Sequence, residues 1–467
     1  MHDSRVFLLA ATLAALSATT ASAQREVAVD TVTQLRREID LLRSEYDQRL
    51  AALESRLAEL AQDAAPAPLP EASPESLVPV AAAAAPLTIL SGAAGRNFLN
   101  LSLDGLFAAG TSTGSDIGAL EPGGHDPAQR GFTVQNIEVV FDGAVDPYFR
   151  GQANVILQIN PEGETVVELE EVFATTTSLP RGLQLKVGQF FTEFGRLNPA
   201  HPHSWDFVDQ PLVNGRFFGP DGLRSVGARL SWLLPTEFYS EAYLAIQNSQ
   251  GETVTSFRSL PGETLFGREV VERDVASVGD FLIAPRYTAS FDLSDTQTIL
   301  VGASAALGPN GTGDAGKTRI YGVDGFWKWK SATAFKGSPF FKVQGELMYR
   351  DLFAAGGPAN PPEASPSAAA FADWGGYLQL NWGYRPGYVV GLRVDSVGGD
   401  DGGPGSADEL PLARRLRLSP VFTWFPTEYS KLRLQYNFDH GDAFERNEHS
   451  LWLQLEFLLG AHAAHKF

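Results

Sequence analysis

The densest chemistry in this chain lies between residues 192 and 224. That stretch carries Arg196, His201, His203, Trp205, Asp206, Asp209, Arg216, Phe217 and Phe218. His201 and His203 stand two apart, so in an extended segment both imidazoles leave on one side. With Asp206 or Asp209 they supply the nitrogen and oxygen donors that hold a divalent metal. Ordinary loop histidines look the same and are the commoner case. A second pair, His462 and His465, sits near the C-terminus.

Catalytic arrangements are not evident. Glu168, Glu170 and Glu171 invite comparison with paired carboxylates, but strand alternation sends them to opposite faces. No Ser/His/Asp set stands at a strand end, and the glycines from Gly110 to Gly124 lack phosphate-loop spacing. Cysteine is absent, which excludes a thiol nucleophile, a disulfide scaffold and a sulfur-ligated zinc. The chain therefore reads as a non-enzyme that calls for no cofactor.

A different kind of chemistry is spread along the chain. Basic residues recur at alternate positions of extended segments: Arg150, Lys186, Arg229, Arg286, Lys328, Lys342, Arg350, Arg393, Arg415, Arg417 and Arg433. Acids do the same: Asp104, Glu138, Asp142, Glu168, Glu170, Glu241, Asp324, Glu346, Asp395 and Glu456. Charges on one face of a rolled sheet could line a water-filled pore, where a ring or ladder of one sign selects ions. Arg393, Arg415, Arg417 and Arg433 form the best case for an anion track, because a guanidinium fork suits phosphate. The two signs are nearly balanced, so mutual pairing across strands is the simpler expectation.

The elements that must position these groups are strands. From residue 97 onward the apolar period is 2. Sixteen segments of transmembrane-strand length run from Phe98–Ala108 to Ser450–Leu459. On the last, Leu451, Leu453, Leu455, Phe457 and Leu459 alternate with Trp452, Gln454, Glu456 and Leu458. Short turns alternate with long connections, as in outer-membrane barrels. Two connections break the pattern: 331–339 is long for a turn, and 160–164 is short for a loop. Tyr148, Trp232, Tyr239, Trp329, Tyr384, Trp424 and Tyr429 fit interfacial girdles, and Phe467 suits the end of such a barrel.

Residues 1–23 read as a signal peptide, with Arg5, the apolar run Val6–Leu16 and Ala21-Ser22-Ala23 before the cleavage point. Residues 24–62 hold a heptad seam, Val32, Leu35, Ile39, Leu42, Tyr46, Leu50, Leu53, Leu57 and Leu60, which predicts a periplasmic coiled coil. Residues 63–96 are an Ala/Pro-rich linker, and 97–467 the barrel. No later segment has 18 consecutive apolar residues, so a membrane span must be a closed barrel. The net charge of −19 argues against nucleic acid. The expected fold is all-β, a transmembrane antiparallel barrel of about sixteen strands behind a short coiled-coil helix.

That order of segments resembles the phosphate-selective porin O and P family. The stretch Leu185-Lys-Val-Gly-Gln-Phe190 with Phe194-Gly195 is similar to the family's strand leading into a long loop. Gly195-Arg-Leu-Asn198, His201-Pro-His203, Asp209-Gln-Pro211 and Phe218-Gly219 look more like the branch labelled zinc-regulated outer-membrane receptors, here without a plug domain. The resemblance implies a trimeric channel in the outer membrane of a Gram-negative bacterium, passively passing small solutes and anions such as phosphate. Its partners would be membrane lipid, two further copies and small ions. The alternative is an uptake receptor for a divalent metal or other solute. Arg196, His201, His203, Asp206, Asp209 and Arg216 are expected on a loop that folds inward and constricts the bore.

Overall fold

The computed structural model describes residues 87–91, 97–272, 275–356, 366–399 and 412–460. The expected signal peptide, coiled coil, His462–His465 pair and Phe467 lie outside them. The strands are β1 (Leu87–Ser91), β2 (Phe98–Ser112), β3 (Gly131–Ala144), β4 (Phe149–Ile159), β5 (Thr165–Thr176), β6 (Leu183–Phe191), β7 (Arg224–Leu233) and β8 (Tyr239–Asn248). A small hairpin, β9 (Thr264–Leu265) and β10 (Arg268–Glu269), follows. The series continues with β11 (Phe281–Ser294), β12 (Gln297–Pro309), β13 (Lys317–Phe335), β14 (Ser338–Ala354), β15 (Ala369–Arg385), β16 (Tyr388–Gly399), β17 (Arg415–Thr427), β18 (Ser430–Gly441) and β19 (Glu448–Leu459). Two short helices, α1 (Ile117–Leu120) and α2 (Leu212–Phe218), sit in the connections.

Each strand from β2 to β8 and from β11 to β19 pairs antiparallel with its sequence neighbour, and β8 pairs with β11. Closure comes from β19 against β2, Leu459 opposite Leu103 through Ser450 opposite Ser112. The result is a closed barrel of sixteen strands. Each of the sixteen segments read from the alternation is one of these strands. The long expected turn at 331–339 is in fact two residues, because β13 and β14 run on to Phe335 and Ser338; Lys336 and Gly337 take positive φ values of 47° and 82°, as a tight hairpin requires. An unforeseen strand, β1, lies inside the segment read as linker. It pairs with Leu101 to Phe98 of β2, on the edge that β19 leaves uncovered beyond Leu103. Five residues with one polar partner contact, Thr88 to Asn100, leave too weak a pattern to see in a sequence.

The faces are inverted relative to a soluble protein. On β18, Lys431, Arg433, Gln435, Asn437 and Asp439 are buried, while Leu434 and Tyr436 are exposed. On β19, Ser450, Trp452 and Gln454 are buried, and Leu451, Leu453 and Leu455 are exposed. Charged residues are almost never fully buried, and leucines rarely form continuous exposed rows, unless the outside is not water. A hydrocarbon exterior explains both. Aromatic rows mark its edges: Tyr321, Tyr349 and Trp374 lie side by side across β13–β15, as do Trp329, Phe341 and Trp382. The rows are 8 residues apart on both β13 and β15. At ~3.3 Å per residue and a tilt of ~40° that is roughly 20 Å, near the height of a barrel's apolar band.

Leu453→Arg tests this orientation. A charge at mid-strand on the lipid face should cost about 2–4 kcal/mol of folding free energy in bilayers, read from denaturant titration in vesicles. Leu453→Ala, which adds no charge at the same position, serves as the control.

Candidate functional site

The candidate site is the bore, and connections that fold into it occupy much of its width. The main one is 192–223. Its two ends are pinned together: Thr192 N donates to Leu223 O at 2.9 Å, and the Asn198 amide bridges Thr192 O (2.8 Å), Leu223 O (2.9 Å) and Leu223 N (2.8 Å). This makes a compact loop with joined feet, whose body is free to leave the wall. The chain then turns inward at Gly195, where φ is +59° and a Cβ would lie 1.9 Å from Glu346 Oε2. Only glycine tolerates both. The Glu346 carboxylate of β14 accepts the Arg196 and Leu197 N–H groups at 3.0 and 2.7 Å.

From there the loop crosses the barrel. His201 and His203 reach β3 and β5. Asp206 accepts from Lys342 (2.5 Å), Gln379 (3.0 Å) and Asn381 (3.2 Å) on β14 and β15. Asp209 accepts from Arg393, Arg417, Gln435 and Asn437, each at 2.7 Å, on β16 to β18. In the closed order, β4 and β14 are half a circumference apart, so one loop touches opposite walls. Helix α2 follows, with Arg216 donating to Ala413 O at 2.6 Å.

Neighbouring connections complete the filling. Phe194, Val213, Phe217, Phe218 and Leu223 pack with Val254 and Phe257 of the 249–280 connection against Leu282, Ala306, Ile320, Met348, Tyr377 and Val397 of the wall. Ile117, Val208 and Trp452 form a second apolar contact. A cavity of about 370 Å³ remains among Leu212, Arg216, Ser256, Phe266, Arg350 and Arg415. The loop thus does more than narrow an aqueous tube: it carries its own apolar core into the tube.

The basic residues whose alternation points inward face this interior, and most meet acids. Arg286 pairs with Asp324 (2.6 Å), Arg350 with Asp373 (2.7 Å), Arg229 with Glu193, and Arg150, partly exposed, with Asp142 at 3.4 Å. Lys186 lies over the Phe173 ring at 4.0 Å. The expected anion track is spent on carboxylates and carbonyls. Arg393 holds Asp209 and Asp395, Arg415 holds Asp439, Arg417 holds Glu121, Asp209 and Asp439, and Arg433 donates to Gln454 and Trp205 O. At the loop side of this network burial disfavours the Asp209 charge, but Arg393 and Arg417 outweigh it and hold the carboxyl below its usual range. Burial pushes the Glu121 carboxyl up to about 8 despite Arg417, and Asp126, beside Asp209, up to about 7.

His201 and His203 do not meet Asp206 or Asp209. They meet glutamates of the opposite wall. His201 Nδ1 lies 3.2 Å from Glu138 Oε1 and 2.8 Å from Glu170 Oε2, and its Nε2 lies 3.0 Å from Glu171 Oε2. His203 Nδ1 is 2.8 Å from Glu138 Oε2. Burial opposes a charge on His201, yet Glu138 and Glu170 hold its imidazole pKa well above the ordinary value. The expectation that alternation separates Glu170 from Glu171 is corrected. Asn154 pairs with Glu171 and Val155 with Leu169, so β5 bulges at Glu170 and turns two consecutive carboxylates inward. His125, 3.5 Å from Glu170, was not singled out in the sequence at all. The one sequence signal for this cluster was the double acid itself, which shifts the outward positions from Val167 and Leu169 to Val172 and Ala174.

The architecture is that of outer-membrane channels. The outer membrane channel DcaP of Acinetobacter baumannii matches 79% of this chain with 100% of its own, at a TM-score of 0.51 and 11% identity. An anion-selective porin from Comamonas acidovorans matches 78% of this chain at a TM-score of 0.49 and 8% identity. No family model matches the sequence. An uncharacterized protein of Aquifex aeolicus (strain VF5) is 30% identical over 404 residues, 79% of either chain, and this chain belongs to that protein's family.

Proposed function

We propose that this protein is an outer-membrane channel of the porin type, through which small solutes diffuse passively along a bore restricted by the 192–223 loop. The observation that carries this reading is the inverted barrel: apolar side chains outside, and charges, amides and folded-in loops inside. Nothing else requires a closed sheet to turn its leucines outward and its arginines inward. We place the protein in the outer membrane of a Gram-negative bacterium, with residues 24–62 as a periplasmic coiled coil that joins three copies. The motifs between 183 and 234 support a kinship with phosphate-selective porins. Phosphate preference itself gains little support, because the arginines that would carry it are occupied by acids.

The test is recording from the purified full chain in planar bilayers under a salt gradient. Small, ohmic steps with weak anion-to-cation preference are expected. A membrane that stays silent after confirmed insertion refutes the channel reading, and a strong shift of reversal potential toward phosphate over potassium refutes the weak selectivity.

A further inference from the structure

We infer that the bore wall carries a divalent-metal site formed by Glu138 of β3, Glu170 of β5 and His201 of the crossing loop. One donor atom from each lies within 4.8 Å of the other two. The separations from His201 Nδ1, 3.2 Å to Glu138 Oε1 and 2.8 Å to Glu170 Oε2, are close to the edge of a zinc tetrahedron. Nitrogen and oxygen ligands ~2.0–2.1 Å from zinc stand about 3.3 Å from one another. Ordinary side-chain adjustment is enough to admit an ion between them.

The surroundings support each ligand. His201 Nε2 faces Glu171 Oε2 at 3.0 Å, the carboxylate contact that keeps a metal-bound imidazole in one tautomer and leaves its Nδ1 lone pair for the ion. Glu138 is held from its other oxygen by His203 Nδ1 and through Oε1 by the Asn154 amide. The other oxygen of Glu170 faces His125 Nε2 at 3.5 Å. All three ligands are nearly inaccessible, with side chains 0%, 1% and 6% exposed for Glu138, Glu170 and His201. A divalent ion seated between the imidazole and the two buried carboxylates would balance their charge. The donor set, one imidazole and two carboxylates, suits zinc and similar transition ions better than calcium, which asks for six or more oxygens. The bulge at Glu170 is what aims that carboxylate inward together with Glu171, and bulges often re-aim side chains at such places. Bound metal would tie the crossing loop to β3 and β5, across the barrel from the Asp206 anchor on β14 and β15.

The test uses the full chain, purified in detergent and stripped with a chelator, titrated with zinc chloride by calorimetry. One ion per chain is expected. His201→Gln and Glu170→Gln should each weaken it by at least about a hundredfold, and Glu171→Gln by about ten- to a hundredfold. The double variant His462→Ala/His465→Ala should bind as the parent does. X-ray absorption of the zinc-loaded parent should show a single imidazole among oxygen ligands. No binding, binding that survives His201→Gln, binding lost in the C-terminal double variant, or a two-imidazole spectrum would each overturn the site. The isotherm does not depend on conductance, so its failure leaves the channel reading intact, and a silent bilayer leaves the isotherm intact.

Discussion

Deleting residues 199–218 is expected to raise single-channel conductance several-fold while leaving the barrel closed. The excised segment holds His201, His203, Asp206, Asp209 and α2, the parts of the loop that reach both walls. A sixteen-stranded barrel without such filling leaves an aqueous channel. The feet survive the cut, because Thr192, Asn198 and Leu223 bond one another outside the deleted stretch. Strands β6 and β7 pair from Leu183 opposite Trp232 to Phe191 opposite Arg224 without help from the loop body. The freed arginines would then face water, so anion preference should increase together with conductance. Unchanged conductance in a folded deletion variant would show that the loop does not limit flow.

Asp209→Ala carries the largest expected cost of any single substitution. Four donors converge on that carboxylate, two of them the guanidinium groups of Arg393 and Arg417, which are 1% and 0% exposed. Removing one member of a buried ion pair leaves the other charge uncompensated, at about 3–5 kcal/mol. The loss should appear in denaturant titration of the barrel in vesicles, or as a loop that no longer docks, seen as conductance approaching that of the deletion. Asp395 and Asp439 still contact these arginines, so release of the loop competes with unfolding as the way the cost is met. Both results carry the same sign. An Asp209→Ala variant with parental stability and parental conductance would show that the network does not anchor the loop. Asp209→Asn, which keeps the shape and one acceptor oxygen, should fall between the two.

The amino-acid sequence by itself determined the barrel. Alternation over sixteen segments settles which face is apolar wherever a strand is regular, because side chains on a strand have a period of two and a slip by one would expose every charge to lipid; at the β5 bulge it fails. The bounds read for Thr165–Thr176 and Leu183–Phe191 are those of β5 and β6, each of which follows a short turn, at 160–164 and 178–182. What alternation cannot express is where a loop goes after it leaves a strand. The meeting of His201 with Glu138 and Glu170 joins residues 63 and 31 positions apart through barrel curvature and one bulge, and neither leaves a periodic trace. The pairing of Arg393 and Arg417 with Asp209, some 184 and 208 residues away, is of the same kind. A local pattern reports which groups must leave water or lipid; only closure of the sheet decides which of them then find each other.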